Sequence, residues 1–150
     1  MQPFQLSMTD YYIARTVAVA STGILTGFGW TLNTVTVPAI QATSDPVPAF
    51  VRTYKNASKF AVSHIIIAAV SNGLCYYQNR QSRYFYGMIF SAALVPFTIL
   101  FIKPINDQLF ALEGKENYDR KKAYQLVQRW NKLQWFRTLS STVAFVFTHM

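Results

Sequence analysis

The sequence predicts an all-α integral membrane protein: a four-helix bundle with a long, partly helical loop between the third and fourth spans. Composition is the first reason, because 51% of the 150 residues are apolar and only 13% are charged, about half the charged share of an ordinary soluble domain. The second reason is that four apolar segments come close to the about 20 residues that a membrane-crossing helix needs. The third is that the charged residues are concentrated between these segments. The length indicates a single domain, residues 1–150.

Each of the four segments is predicted to be a membrane-spanning helix. The third contains the longest apolar run, "YFYGMIFSAALVPFTILFI". The fourth is the shortest, because only thirteen residues follow Arg137. The tight connection "QNRQSR" makes the second and third spans antiparallel neighbours. The spans are expected at about residues 12–38, 60–77, 84–102 and 133–150.

Local signals predict the connections between the spans. Thr9 or Asp10 is expected to cap the start of the first span. Pro46 and Pro48 predict a turn-rich loop between the first and second spans. After the third span, one interpretation of Asn106 is that it caps a short helix that ends before Gly114.

The distribution of basic residues predicts the orientation. Fourteen Lys and Arg residues against six acidic ones give a net charge of +8, an excess that can mark a nucleic-acid binder. Here the charges lie between apolar segments and form no stripe, so a positive-inside distribution explains them better, and no nucleic-acid partner is expected. With four spans, Arg15, Arg80 and Arg83 share one side and the other eleven basic residues share the opposite side. Both termini are therefore predicted to face the outside or the lumen, and the two long loops to face the cytoplasm or matrix.

The N-terminal residues "MQPFQLSMTDYY" suggest neither a cleavable signal peptide nor an Arg-rich transit peptide. A basic multi-pass chain of this kind suits an endomembrane or the mitochondrial inner membrane, with membrane lipid as its surroundings.

Several kinds of site are excluded or disfavoured. Cys75 is the only cysteine, which excludes an internal disulfide framework and a Cys-based zinc site. His64 and His149 are predicted at opposite membrane faces, and there is no HExxH motif, so no metal site is expected. The sequence also contains no phosphate-binding loop, no GxGxxG and no Ser-centred elbow.

Gly23 and Gly27 lie four residues apart in "GILTG". This small-xxx-small pattern lets two helices approach closely, so the glycine face is predicted to pack against another span. Self-association of two chains through the same glycines is the less favoured alternative.

Membrane parity predicts that polar and aromatic residues from all four spans lie near one membrane face. In a bundle whose spans alternate in direction, the end of one span and the start of the next lie at the same face. Within this group, Trp130, Gln134 and Arg137 are spaced i, i+4, i+7 and share one side of a helix. The group consists of Asn33, His64, Asn106, Trp130, Gln134 and Arg137.

Each member has a structural interpretation beside the functional one. An ionisable Arg137 inside a span indicates function by default, but it could also extend its charge to the headgroups. Asn33 could join helices rather than bind a substrate. His64 could be a structural histidine rather than a base. Trp130 could belong to an interfacial belt rather than to an aromatic pocket.

Residues 103–138 also carry a resemblance. "KPIN" follows the third span, and "RWNKLQWFRT" leads into the fourth. This arrangement resembles the four-helix membrane family that includes the fungal anthrone oxygenases of polyketide pathways. Family members read approximately Asn-Pro-x-Asn, followed by a Trp, a Leu-His pair and an Arg. In this sequence Lys103 stands in place of the first Asn, and Gln134 in place of the His.

The resemblance implies oxidation of a tricyclic anthrone to an anthraquinone by dioxygen, without metal, flavin or other cofactor. That chemistry needs a base for an activated C–H proton and a cation or hydrogen-bond donors for the resulting enolate. Gln134 can donate a hydrogen bond but cannot be the base. The roles expected from the resemblance are Arg137 and His64 as catalytic residues and Asn33, Asn106, Trp130 and Gln134 as substrate-binding residues.

Two functional hypotheses follow. The first is a membrane-embedded oxygenase that acts on a flat lipophilic or aromatic small molecule. The second is a non-catalytic membrane accessory or assembly protein whose polar cluster only joins the helices. An enclosed, apolar, ring-sized cavity between the spans, with Arg137 and Asn33 pointing into it, would favour the first hypothesis. A solid core with Arg137 turned to the headgroups would count against it.

Overall fold

The chain forms an all-α bundle of four long helical rods in the computed structural model, which describes residues 6–150. No β-strand is present among these residues, and the predicted fold class is confirmed. Each rod packs against the next along the chain, and the fourth packs against the first. The first rod consists of α1 (Met8–Thr31), a π-helical turn (Leu32–Thr36) and α2 (Val37–Gln41). The second rod is α3 (Pro46–Asn79), and the fourth is α7 (Arg120–His149). The third rod consists of α4 (Ser82–Ala92), α5 (Leu94–Phe97), a π-helical turn (Thr98–Ile102) and α6 (Lys103–Phe110).

Three of the rods begin at a capping side chain. Ser7 accepts a hydrogen bond from the backbone N–H of Asp10 at 3.1 Å, so the predicted caps Thr9 and Asp10 lie inside the helix instead. Asp45 caps α3 in the same way, and Asp119 caps α7. A capping side chain satisfies a backbone N–H that has no partner within its own helix.

The predicted turn-rich loop around Pro46 and Pro48 is wrong, because both prolines lie in the first turn of α3. Proline is well tolerated at the first helical position, where its missing N–H would have no partner in the helix. The cap at Asp45 and the proline that follows it therefore start the helix well before the apolar segment at residue 60.

Each π-helical turn ends two residues before a proline. The N–H of Val37 bonds to the carbonyl of Leu32, and Pro38 follows. The N–H of Lys103 bonds to the carbonyl of Thr98, and Pro104 follows. A proline inside a helix lacks a donor and clashes with the carbonyl four residues earlier, and the wider turn gives that carbonyl room.

Asn106 is the fourth residue of α6 and does not cap it, so the predicted N-cap is wrong. The helix begins at Lys103 because the third rod continues through its π-helical turn without a break. The Asn106 side chain is therefore free of a capping role and is buried inside the bundle.

The glycines of α1 differ in what they face. A Cβ at Gly23 would lie 3.1 Å from the Phe145 ring of α7, so this part of the glycine face packs as predicted. A Cβ at Gly27 would meet nothing within 4 Å. The contact with α7 is tighter at Gly29, where a Cβ would lie 2.8 Å from Oγ1 of Thr138.

The loop before α7 is joined to Asp45, in the short loop before α3, and to Lys55 of α3 at the charged end of the bundle. The hydroxyl of Tyr118 donates a hydrogen bond to Asp45, and Lys55 forms a salt bridge with Glu113 at 3.0 Å. The loop before α3 and the loop before α7 are thereby held together.

Two of the rods are long and apolar enough to cross a membrane by length and composition. They are Pro46–Asn79 and Ser82–Phe110, which contain 18-residue apolar windows with mean hydropathies of 1.4 and 2.1. Both present large apolar side chains on the outer surface, including Ile66 and Val70 of the second rod and Ile99 and Leu100 of the third. These two rods support membrane association.

Candidate active-site cavity

A cavity of about 380 Å³ lies between all four rods near the charged end of the bundle. Its wall consists mostly of aliphatic and aromatic side chains from α3, from both π-helical turns and from α2. Trp130 and Arg137 of α7 complete the wall. The titratable groups in the lining are Tyr54 and Arg137.

Aromatic rings form one side of this cavity. The rings of Phe50 and Trp130 meet edge to face, with centroids 5.3 Å apart, and Tyr54 meets Trp130 similarly at 6.4 Å. Phe50 and Tyr54 are four residues apart on α3 and stack at 6.0 Å. Edge-to-face and offset stacking are the favoured arrangements of aromatic pairs. This aromatic wall is therefore stiff and apolar.

Arg137 brings a positive charge to the cavity. Its Nη1 donates a hydrogen bond to Oε1 of Gln134 at 3.1 Å, whereas its buried Nε has no hydrogen-bond partner. Within residues 6–150, no carboxylate forms a salt bridge with it. A cation away from water without a counterion is costly, and an anion or a polarised oxygen in the cavity would lower that cost.

Tyr54 lies between the cavity and Asn106. Its hydroxyl lies beside the Asn106 side chain and within electrostatic range of Arg137 and Asp107. Asn106 is buried, and its Oδ1 has no hydrogen-bond partner. Asn106 thus approaches the site through a tyrosine that the sequence interpretation missed.

A signal for Tyr54 does exist in the sequence. Phe50, Tyr54 and Ala57 follow a helical spacing, which becomes visible once α3 is started at the Asp45 cap. With this segment interpreted as a loop, that spacing has no meaning.

The side-chain amide of Asn33 is engaged by α7. Its Nδ2 donates to Oδ1 of Asn131 at 2.7 Å, and its Oδ1 accepts from the Thr138 hydroxyl at 2.5 Å. Asn33 is buried and is not in the cavity lining. These bonds join the first and fourth rods, as polar side chains commonly do between membrane helices.

Gln134 and His64 lie outside the cavity lining. Gln134 is buried beside Arg137 and accepts its hydrogen bond. The His64 ring packs on the Phe60 ring at 4.1 Å, and its Nδ1 lies 2.9 Å from the Phe60 carbonyl. Because a carbonyl only accepts, Nδ1 is the donor in this contact.

The structure therefore brings only part of the predicted group to the cavity. Trp130 and Arg137 line it, Gln134 contacts Arg137, and Asn106 lies behind Tyr54. Asn33 and His64 lie at other positions, and all six functional roles stay predictions. Among residues 6–150, no group of three or more His, Cys, Asp or Glu side chains is placed to hold a metal ion.

Comparison with known proteins gives one family. The anthrone oxygenase family matches residues 50–147, more than half of the chain. The matched region covers most of α3 and α7, which supply the aromatic wall and Arg137, and the whole third rod. It leaves out the first rod with Asn33. No curated protein and no solved structure matches the chain. On the extent of the family match, the chain belongs to the anthrone oxygenase family.

Proposed function

We propose that the protein is a membrane-embedded oxygenase that binds a flat, lipophilic aromatic substrate in the cavity and oxidises it with dioxygen. One observation carries the proposal: an apolar cavity contains in its wall an arginine that has no carboxylate partner among the described residues. An apolar chamber with a few polar groups is the usual form of a small-molecule site. Membership of the anthrone oxygenase family gives the class of reaction.

The proposed setting is a bilayer crossed by all four rods. The two apolar rods support membrane association, and the first and fourth rods pack against them. The basic residues at the cavity end would face the cytoplasm or matrix, and both termini the outside or the lumen. An endomembrane or the mitochondrial inner membrane is the proposed location.

The dimensions suit a fused-ring substrate. The volume of about 380 Å³ lies within the roughly 300–1,000 Å³ typical of small-molecule sites. The rings of the substrate would lie against Phe50 and Trp130, where burial of apolar surface supplies the binding energy. One oxygen of the substrate would point towards the Arg137 guanidinium.

The proposed reaction on an anthrone balances without another oxidant. Loss of one proton from the methylene carbon opposite the carbonyl gives an enolate, whose charge lies largely on the carbonyl oxygen. The enolate transfers an electron to dioxygen, and the resulting superoxide and substrate radical combine at the same carbon. The peroxide anion takes up a proton and then eliminates water with the second methylene hydrogen. Anthrone and dioxygen thus give anthraquinone and water.

Arg137 would supply the main electrostatic stabilisation. A fixed cation next to the oxygen where negative charge develops is most effective in a site from which water is excluded. Gln134 would orient the guanidinium through the hydrogen bond already present at 3.1 Å. Asn33 would act at a distance, by holding α7 through Asn131 and Thr138.

Tyr54 is our candidate for the proton transfer. Its hydroxyl lies in the cavity wall beside Asn106 and near the exposed Asp107. As a relay, the neutral phenol would accept the proton of the substrate while it passes its own proton towards the Asp107 carboxylate. The base predicted from the sequence, His64, would instead have to act through the wall of α3.

The test is dioxygen uptake by the purified protein with a model anthrone, compared with Arg137→Ala and Arg137→Lys. Loss of one well-placed oxyanion donor typically lowers kcat by about 100- to 1,000-fold. We expect a loss of this size for Arg137→Ala and partial retention of activity for Arg137→Lys. Arg129→Ala is the matched control, because Arg129 is an exposed arginine on the same helix. If wild type does not exceed the spontaneous rate, the oxygenase proposal fails.

A second candidate function is a lipophile-binding accessory protein without catalysis. The hydrogen bonds of Asn33 to Asn131 and Thr138 favour it, because they engage the side chain of this predicted site residue in joining two rods. Binding of an anthrone without any uptake of dioxygen above the spontaneous rate would support this alternative.

A further inference from the structure

The exposed part of the cavity lining is confined to four side chains. They are Val62 and Ile66 of α3, exposed by 50% and 54%, and Val95 and Ile99 of the third rod, exposed by 40% and 57%. The remaining lining residues are buried or half-buried. The opening of the cavity therefore lies between α3 and the third rod.

This opening carries no charge. Its four side chains are all branched and aliphatic, and they belong to the two rods that are long and apolar enough to cross a membrane. A water-filled entrance would place polar groups at its rim. A lipid-facing entrance needs none, because hydrocarbon does not hydrogen-bond.

The depth of the opening follows from the nearest lysines. Val62 and Ile66 come three and seven residues after Lys59, about 5 and 10 Å along a helix at 1.5 Å per residue. Ile99 and Val95 come four and eight residues before Lys103, about 6 and 12 Å by the same rise. Because the two helices are antiparallel, Val62 pairs in depth with Ile99, and Ile66 with Val95. With both lysines at the headgroups, the opening lies in the outer part of the hydrocarbon layer.

The third rod is also least regular at this opening. α4 ends at Ala92, Pro96 lies within α5, and the π-helical turn Thr98–Ile102 follows. Both proline and a π-helical turn interrupt the regular hydrogen-bond ladder that stiffens a helix. The third rod thus contributes its most deformable helical segment to the wall of the opening.

We propose that this opening is a lateral portal, through which an apolar aromatic molecule dissolved in the bilayer enters the cavity directly from the lipid. The proposal rests on the membrane location and the substrate cavity proposed above. It adds that the substrate is taken from the membrane and that Val62, Ile66, Val95 and Ile99 control the rate of entry.

The test uses the full chain in phosphatidylcholine vesicles and anthracene as the probe, with binding followed by energy transfer from the native tryptophans. The variant Val62→Phe/Ile99→Phe narrows the portal without adding a tryptophan. Val70→Phe/Leu100→Phe is the matched control, because these side chains are exposed by 57% and 66% on the same rods and do not line the cavity.

We expect the portal variant to slow both association and dissociation by about tenfold, as a barrier on the route requires, with an affinity within about twofold of wild type. The control variant should match wild type. Four results would each overturn the portal proposal. They are unchanged rates in the portal variant, equal slowing in the control variant, a weakened affinity with an unchanged association rate, and no binding of anthracene by wild type.

Anthracene has no methylene group to oxidise, so its binding does not depend on the oxygenase reaction. Portal-dependent binding without dioxygen uptake would remove the oxygenase proposal and keep the portal. Dioxygen uptake by wild type, together with anthracene binding rates that are equal in the portal variant and wild type, would remove the portal and keep the oxygenase proposal.

Discussion

Gly29→Ala is predicted to force apart the helices that hold the cavity. A Cβ at this position would lie 2.8 Å from Oγ1 of Thr138 and 3.3 Å from its Cα and Cβ. The Cα belongs to the backbone of α7, so rotation of one side chain cannot relieve the contact. Overpacking of this kind costs about 1–3 kcal/mol. The Thr138 hydroxyl also donates to Asn33, and loss of that bond adds about 1 kcal/mol.

The higher helix propensity of alanine offsets about 1 kcal/mol of this cost. The net expectation for Gly29→Ala is a loss of about 1–3 kcal/mol in the free energy of unfolding. Gly27→Ala is the control two residues away, where a Cβ would meet nothing within 4 Å. It gains the propensity term without the clash, so its stability should equal or exceed that of wild type.

The assay is unfolding of both variants in the same detergent by heat or denaturant, together with dioxygen uptake. Because Thr138 is one residue from Arg137, Gly29→Ala should also lower the activity. A Gly29→Ala protein as stable as Gly27→Ala would show that α1 and α7 are not in the close contact from which this magnitude was worked out.

Three further predictions concern single side chains. Tyr54→Phe keeps the aromatic wall but removes the hydroxyl, so kcat should fall by about 100-fold or more while anthracene binding is unchanged; equal kcat would remove Tyr54 from the proton transfer. His64→Ala should change kcat by less than about twofold because the ring lies outside the cavity lining, and a large loss would instead favour the base predicted from the sequence. Partial burial and the hydrogen bond to Asp45 raise the pKa of Tyr118 to about 12, above the value of about 10 for a tyrosine in the unfolded chain. The stabilisation that protonated Tyr118 gives the folded state is therefore present below about pH 10 and is lost towards about pH 12. Tyr118→Phe should remove that part of the pH dependence of the free energy of unfolding.

Hydropathy was sufficient to predict four helices, because burial in lipid and burial in a bundle both demand long apolar segments. It could not predict where α3 begins. Arg52, Lys55 and Lys59 make the first part of that helix polar, so only the cap at Asp45 and the proline after it indicate its start. The missed helical turns contain Phe50 and Tyr54, and the aromatic wall was missed with them.

Only part of the predicted residue group lines the cavity, and this has a different physical cause. Membrane parity gives the depth of a residue along its helix but not the direction in which its side chain points. Trp130 and Arg137 were found because their spacing places both on one face of α7, and that face lines the cavity. His64 has no second candidate residue at a helical spacing on α3 that would indicate which face of the helix it shares. Its neighbour Ile65 lines the cavity, and a rotation of about 100° between successive helical residues places the imidazole on another side.

Because of the two π-helical turns, the shape of the cavity depends on the number of residues in the chain as well as on the identity of the side chains. Each turn holds one residue more than an α-helical turn needs, and both contribute residues to the cavity wall. Deletion of a single residue, such as the exposed Val35, would restore α-helical phase and rotate the following residues by about 100°. Val37 and Ile40 would then leave the cavity, and Pro38 would regain the clash that the wider turn relieves. Single-residue insertions and deletions in these two turns would therefore be a direct means, in engineering or in divergence, of reshaping the cavity.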